Sequence, residues 1–175
     1  MVLGFPCGVY MSVIVEPQMV NPTLLIRCMG RVVEVLCQFA NVLKFKVVVQ
    51  TSADEKDRYT QAEMIISEPL EMDDIDFKVD YFILATHHRN DDKITCEALK
   101  KGISYVGVVA SKKKTGIITE YLLKNDISAA DMKRLHATNG LDLKSNSAEE
   151  IAVSILSEIV MLKNGGPGEP MRDVE

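Results

Sequence analysis

Ile103-Ser104-Tyr105-Val106-Gly107-Val108-Val109-Ala110-Ser111-Lys112-Lys113-Lys114 carries the chain from one kind of structure into another. Ile103 to Val109 is an apolar run of strand length, and such near-continuous hydrophobicity marks a strand buried on both faces. The chain then turns at Ala110-Ser111 into an amphipathic stretch. Ser111 makes a good N-cap, because its hydroxyl can accept from a free amide of the first turn. Three lysines there have the wrong sign for a helix start, where the macrodipole favours acids. An anion docked on the free amides would remove the conflict, as helix N-termini commonly bind phosphate. The plain alternative is three solvated lysines, each tolerating about 0.3–1 kcal/mol.

Strands and helices alternate on either side of this stretch. A leading strand is expected over Val9 to Val15, then Thr23 to Arg27, a turn at Cys28-Met29-Gly30, and a helix on Val32, Val33, Leu36, Phe39, Ala40 and Leu43. Phe45 to Val49 reads as a strand, Ala53 to Gln61 as a short charged helix, and Met64 to Ile66 as a brief strand. Glu68 to Lys78 is an acidic, solvated loop; Tyr81 to Ala85 is a strand, and Asp92 to Lys101 a helix stopped by Gly102. Further helices are expected at about 112–125, 128–135 and 148–163, the last two opening on the capping-box spacings Ser128/Asp131 and Ser147/Glu150. The fold class is therefore α/β: a doubly wound, mostly parallel, Rossmann-like sheet with extra C-terminal helices. Residues 1–163 are expected as one domain with a leading extended segment over 1–20, and 164–175 as a flexible tail.

A chain of 175 residues can bury a substantial core, and 47% hydrophobic content excludes wholesale disorder. Its net charge of -5 argues against a general nucleic-acid binder, which needs a basic face. No stretch reaches the roughly 18–20 apolar residues a membrane span requires. Met1 to Val15 lacks a basic n-region and breaks early at Gly4, Pro6 and Gly8, so it reads as an extended segment and not an export signal. Cys7, Cys28, Cys37 and Cys96 show no C-x-x-C spacing, which fits free thiols in a reducing cytoplasm.

Open α/β sheets bind ligands at the carboxyl ends of their strands. The loops expected there are Cys28-Met29-Gly30-Arg31, Gln50-Thr51-Ser52, Thr86-His87-His88-Arg89 and Ala110-Ser111-Lys112. The first is a damaged dinucleotide fingerprint: of the three glycines wanted at 28, 30 and 33, Gly30 alone is present. Gln50 and Thr51 stand where an acid would bind ribose hydroxyls, which disfavours ordinary NAD binding; a phosphorylated ribose could be admitted there, with Arg31 the one nearby cation to hold it. Thr86 can donate to a phosphate or a heterocycle, and His87 is read as a polar group lining the crevice. Because neighbouring residues leaving a strand point apart, His87 and His88 are not expected to share one ion. His136 is placed at the end of a helix, where a cation is welcome. Asn139-Gly140 is a turn dipeptide that could present backbone amides, or a plain loop. Cys7, between Pro6 and Gly8, could meet a soft metal carried by a ligand, although a buried inert cysteine is the commoner case.

These residues resemble the C-terminal Rossmann-like domain of the XdhC/CoxI family, the xanthine dehydrogenase accessory proteins. The most specific part is Tyr105-Val106-Gly107 with Ser111-Lys112-Lys113-Lys114, joined to Leu135-His136-Ala137, Gly140-Leu141-Asp142-Leu143 and Glu149-Glu150-Ile151-Ala152-Val153-Ser154-Ile155. Cys7-Gly8, Val15-Glu16-Pro17, Leu24-Leu25-Ile26 with Gly30, Asp57-Arg58-Tyr59, and Asp80-Tyr81 through Thr86-His87 with Asp92 add to it. The resemblance implies maturation of a molybdenum hydroxylase of xanthine or carbon monoxide dehydrogenase type. It implies binding of molybdenum cofactor (molybdopterin or its dinucleotide form) and its transfer, sulfurated, to the apo-enzyme. A sulfurase, a separate N-terminal-type subunit and a homodimer are further associations it admits. By the same resemblance Ser111, Lys112 and Lys114 would hold the phosphate, and Gly30 and Arg31 would approach the nucleotide. Thr86 and His87 would face the pterin, with Asn139 and Gly140 lining the site and Cys7 contacting the metal end.

The sequence departs from the family pattern at Ala110, usually glycine, and at Thr138-Asn139, which replace a proline. Cys28 and Gln50 depart too, so the changes fall more on the nucleotide half of the site than on Ser111-Lys112. No nucleophile, base and orienting group stand together, which suits a carrier better than a catalyst. The competing readings are a nucleotide-dependent oxidoreductase with an altered fingerprint and a nucleotide-sensing regulatory module.

Overall fold

The computed structural model describes residues 2–4, 10–12, 21–67, 71–86 and 90–173. Two short strands, β1 (Val2–Gly4) and β2 (Tyr10–Ser12), pair antiparallel, so the expected leading strand is the second arm of a hairpin. There follow β3 (Thr23–Cys28), α1 (Arg31–Val42), β4 (Lys46–Gln50), β5 (Met64–Ile66), β6 (Tyr81–Ala85) and α2 (Asp91–Lys100). The second half holds β7 (Tyr105–Val108), α3 (Lys112–Lys124), α4 (Ala129–Met132), β8 (Leu135–Ala137) and α5 (Ala148–Asn164). Among the described residues β3 to β8 form one sheet in the order β5-β4-β3-β6-β7-β8, every neighbouring pair parallel. This is the doubly wound Rossmann-like arrangement expected from the alternation of periods.

The central strands are apolar through their middles because both their faces are covered. Leu24, Ile26, Val47, Val49, Ile83 and Tyr105 pack against α1 and α5 through Val33, Leu36, Ala40, Ala152, Ile155 and Ile159. The alternate residues Leu25, Val48, Phe82, Leu84, Val106 and Val108 pack against α2 and α3 through Ile94, Leu99, Ile118 and Leu122. Each buried aliphatic side chain of this kind contributes roughly 1.5–3 kcal/mol. Cys37 and Cys96 are free and buried on opposite faces of the sheet, and burial pushes the Cys37 thiol up to about 12.

Local structure departs from expectation in several places. The region from Ala53 to Gln61 holds only a 3-10 turn, Lys56–Arg58, because Tyr59 is drawn fully into the core. The acids of the 71–78 loop are exposed, but Met72 and Ile75 insert beneath α2 and anchor it. The helix expected over 128–135 is a single turn. Leu135, His136 and Ala137 form the edge strand β8 instead, supplying partners to the backbone groups of β7. His136 therefore lies in a strand opposite Gly107 and caps no helix. After α5 the backbone turns at Gly165 (φ 69°), with Gly166 N–H donating to Met161 O, and Met171–Asp173 forms a 3-10 turn. No helix of the described residues is long and apolar enough to cross a membrane.

Candidate functional site

The sheet order reverses between β3 and β6: the chain leaves β3 toward β4 and β5, and leaves β6 toward β7 and β8. Ligands of open α/β sheets settle outside the carboxyl ends at such a reversal. The ends stand level there, with Cys28 opposite Ala85, Leu84 opposite Val108, and Val108 opposite Ala137. From β3 to β7 is two strand spacings, about 10 Å. Gly30, Thr86, Ser111 and Asn139 thus open onto one rim. Cys7 and His87 lie outside the described residues.

Gly30 precedes α1 at φ 100°, a conformation that favours glycine, and open space surrounds the position a side chain would take. Its N–H is already engaged, donating to the Tyr59 hydroxyl at 2.9 Å, and that hydroxyl donates to Glu55 at 3.1 Å. Arg31, 60% exposed, pairs with Glu149 at 2.9 Å and Glu34 at 3.1 Å, tying the start of α1 to the first turn of α5. The Glu149 hydrogen bond, then that of Glu34, holds the Arg31 guanidinium above its ordinary pKa. Arg31 therefore faces carboxylates, where the sequence placed it toward a nucleotide.

At the other side of the reversal Ser111 caps α3 as expected, its hydroxyl accepting from Lys114 N–H at 3.3 Å. Lys112 and Lys113 are exposed. Lys114 is not: its ammonium donates to the Thr86 carbonyl at 2.9 Å and to the Asp91 carboxylate, which is 2% exposed. Thr86 donates its hydroxyl to the other oxygen of Asp91, and Thr95 donates to the Asp91 carbonyl at 2.6 Å. The sign conflict at the head of α3 is thus relieved in part from within, by a carboxylate of α2. Arg27, at the end of β3, lies close to Asp91, Glu71 and Glu97; burial lowers its pKa and those acids push it back up. Arg27 Nη1 and Glu97 Oε2 are buried without hydrogen bonds.

The loop after β8 is built as firmly. Glu158 of α5 accepts from the Tyr105 hydroxyl at 2.6 Å and Gly140 N–H at 2.8 Å, and lies 3.1 Å from His136 Nδ1. The His136 ring stacks on Tyr105 with centroids 4.4 Å apart. Burial pushes the Glu158 carboxyl up, but its bonds to His136, Tyr105 and Gly140 outweigh this and hold it below the usual carboxylate range. Asn139 folds over Gly107, where an added Cβ would come within 2.7 Å of Asn139 Nδ2 and of the Tyr105 ring. Its carboxamide is 7% exposed, beside the Tyr105 hydroxyl, and neither polar atom makes a hydrogen bond of good geometry. A buried amide left so costs about 1–3 kcal/mol, which a ligand acceptor or donor would recover. Thr138 fastens the loop to the head of α3 by donating to Ala110 O at 2.7 Å.

Thr86, Ser111 and Lys114 are therefore in contact or adjacent, and Thr138 links Asn139 and Gly140 to Ala110, beside Ser111. Asp91 and Glu158 were missed by sequence reasoning. Asp91 looks like one acid of an ordinary helix start. Glu158 carried a usable signal, standing three, four and seven residues from Ile155, Ser154 and Ile151 on the core stripe of α5.

The sheet order and its covering helices define a Rossmann-like α/β domain whose first turn keeps one fingerprint glycine, Gly30. A family model described as the XdhC Rossmann domain matches residues 24–159, and the chain belongs to that family. The uncharacterized protein YqeB of Escherichia coli (strain K12) is 26% identical over 172 residues, covering 95% of this chain and 32% of its own. A crystal structure described as a xanthine dehydrogenase from Bacillus halodurans is 28% identical with a TM-score of 0.68, covering 83% of this chain and 45% of its own. The chain thus spans about a third and under half of the lengths of these two relatives.

Proposed function

We propose that this protein is an accessory factor in the maturation of a molybdenum hydroxylase, binding molybdenum cofactor on the strand-end rim and passing it to the apo-enzyme. Membership of the XdhC Rossmann family and likeness to a structure described as a xanthine dehydrogenase support this. The observation that carries the ligand site is the contact of Lys114, at the head of α3, with Thr86 and Asp91 at the reversal of strand order. The residues present fit such a group: a glycine turn with free space beside it, a buried carboxamide whose hydrogen bonds are poorly formed, and an uncovered helix start bearing Lys112.

In this reading the free amides of the first turn of α3, with Ser111 and Lys112, take the phosphate. Thr86 and His87 face the pterin, Asn139 bonds its edge, and Gly140 N–H, held by Glu158, fixes the loop. Gly30 and Arg31 come near a nucleotide only in the dinucleotide form, and Cys7 near the metal end. The bound cofactor supplies the molybdenum centre of the target enzyme; the chain itself binds, orients and shields. The apo-hydroxylase is its partner, with a sulfurase, an N-terminal-type subunit or a second copy as further associations. Gln50, at the end of β4, stands where an acid would bind ribose hydroxyls, which weighs against the NAD reading.

Purification from a host that makes the cofactor, followed by release and identification of bound pterin, tests the proposal. A stoichiometric pterin that restores apo-hydroxylase activity is expected. Recovery of NAD(P)H in its place would overturn it.

A further inference from the structure

Lys114 carries a charge already answered. Asp91, 2% exposed, takes its ammonium on one carboxylate oxygen and the Thr86 hydroxyl on the other. The surroundings balance as well: Arg27, Lys93 and Lys114 stand among Glu71, Asp91 and Glu97. An ammonium has three donors. Two of those on Lys114 are used, on Asp91 and the Thr86 carbonyl, and among the described residues the third has no acceptor. The side chain remains 27% exposed at the strand-end rim.

We propose that Lys114, neutralised and aimed by Asp91, donates to an uncharged acceptor of the ligand, a ring carbonyl or ring nitrogen, and leaves the anionic group to the α3 amides and Lys112. The inference rests on the pterin-phosphate reading and divides its site in two. A phosphate at hydrogen-bond distance from the ammonium would lie within about 6 Å of the buried carboxylate, which would cancel about half of the attraction. A neutral carbonyl suffers no such penalty and gains a donor fixed by two other bonds. Asp91 is the positioning residue: it sets both the direction and the effective charge of the lysine.

Equilibrium titration with two probes, 6-hydroxymethylpterin and inorganic pyrophosphate, tests the division. The wild type is expected to bind both. Lys114→Met made together with Asp91→Asn, so that no unpaired carboxylate is left behind, should weaken the pterin about tenfold, the loss of one charge-assisted bond, while pyrophosphate stays within about twofold. Asp91→Asn alone should tighten pyrophosphate and steepen its decline with salt as the lysine charge is released. Should the double variant not fold, Asp91→Asn decides alone. Equal losses of both probes in the double variant, or unchanged pyrophosphate affinity in Asp91→Asn, would overturn the division while leaving the pterin reading intact. A wild type that binds neither probe sinks that reading, and this inference with it.

Discussion

Gly107 is a single missing side chain on which the rim depends. It stands on the α5 side of β7, and Asn139 and the Tyr105 ring close over it. Gly107→Ala has no room without displacing both, and over-packing of this kind costs about 1–3 kcal/mol. Denaturant unfolding should show that loss, with a matching loss of pterin affinity as Asn139 moves; an unchanged midpoint would refute the packing argument. Glu158 gives a second residue-scale prediction. Its folded pKa is depressed, so its contribution is present above the unfolded carboxylate value and is lost as pH falls through the folded one. Stability of the wild type should therefore drop on the acid side of about pH 4.5 more steeply than that of Glu158→Gln. Identical acid limbs would contradict the depressed carboxylate.

At the scale of elements, α5 is fixed at both ends by local chemistry. Ser147 and Glu150 form a reciprocal capping box and Gly165 closes the helix in the left-handed region. Ser147→Ala should cost about 0.5–2 kcal/mol, measured as a shift in the urea midpoint. The head of α3 is built differently, with Ser111 as cap and no acid in its first turn. Lys112→Ala should weaken pyrophosphate binding and flatten what remains across a salt series, because a charge-assisted contact is lost. A salt slope equal to that of the wild type would remove Lys112 from the site.

Elements long enough to show their period were legible in the sequence: α1, α2, α3, α5 and the central strands β3, β4, β6 and β7. Of the shorter ones β5 was legible too, but the 53–61 and 128–137 stretches were not. Leu135-His136-Ala137 has no period to read, and it became a strand because β7 had an open edge. The rim was located by its loops, yet the Lys114–Asp91 pair joins two helix starts 23 residues apart, a contact no local pattern encodes.

At the scale of the molecule, one sheet binds two apolar clusters, with α1 and α5 on one side and α2 and α3 on the other. Neither cluster can lose its strands without exposing the other. Unfolding should therefore be one transition, with far-UV circular dichroism and fluorescence of the 5 tyrosines, in a chain with 0 tryptophans, moving together. Separate midpoints would mean that the β3–β5 half and the β6–β8 half melt apart. Beside α5, Phe39, Val42, Leu156, Val160 and Met171 line an apolar groove of about 890 Å³, so the 165–171 segment shares a wall with α1.

The phenol of Tyr59 has a consequence for what this scaffold can hold. In dinucleotide enzymes the glycine turn lends its backbone donors to a diphosphate. Here a tyrosine from the neighbouring crossover has taken the Gly30 donor for the protein itself. Any guest at this bend must either do without that amide or evict an aromatic ring from the interior. The bend is thereby turned from a handhold for nucleotides into part of the wall, and the gripping is left to the opposite end of the cleft.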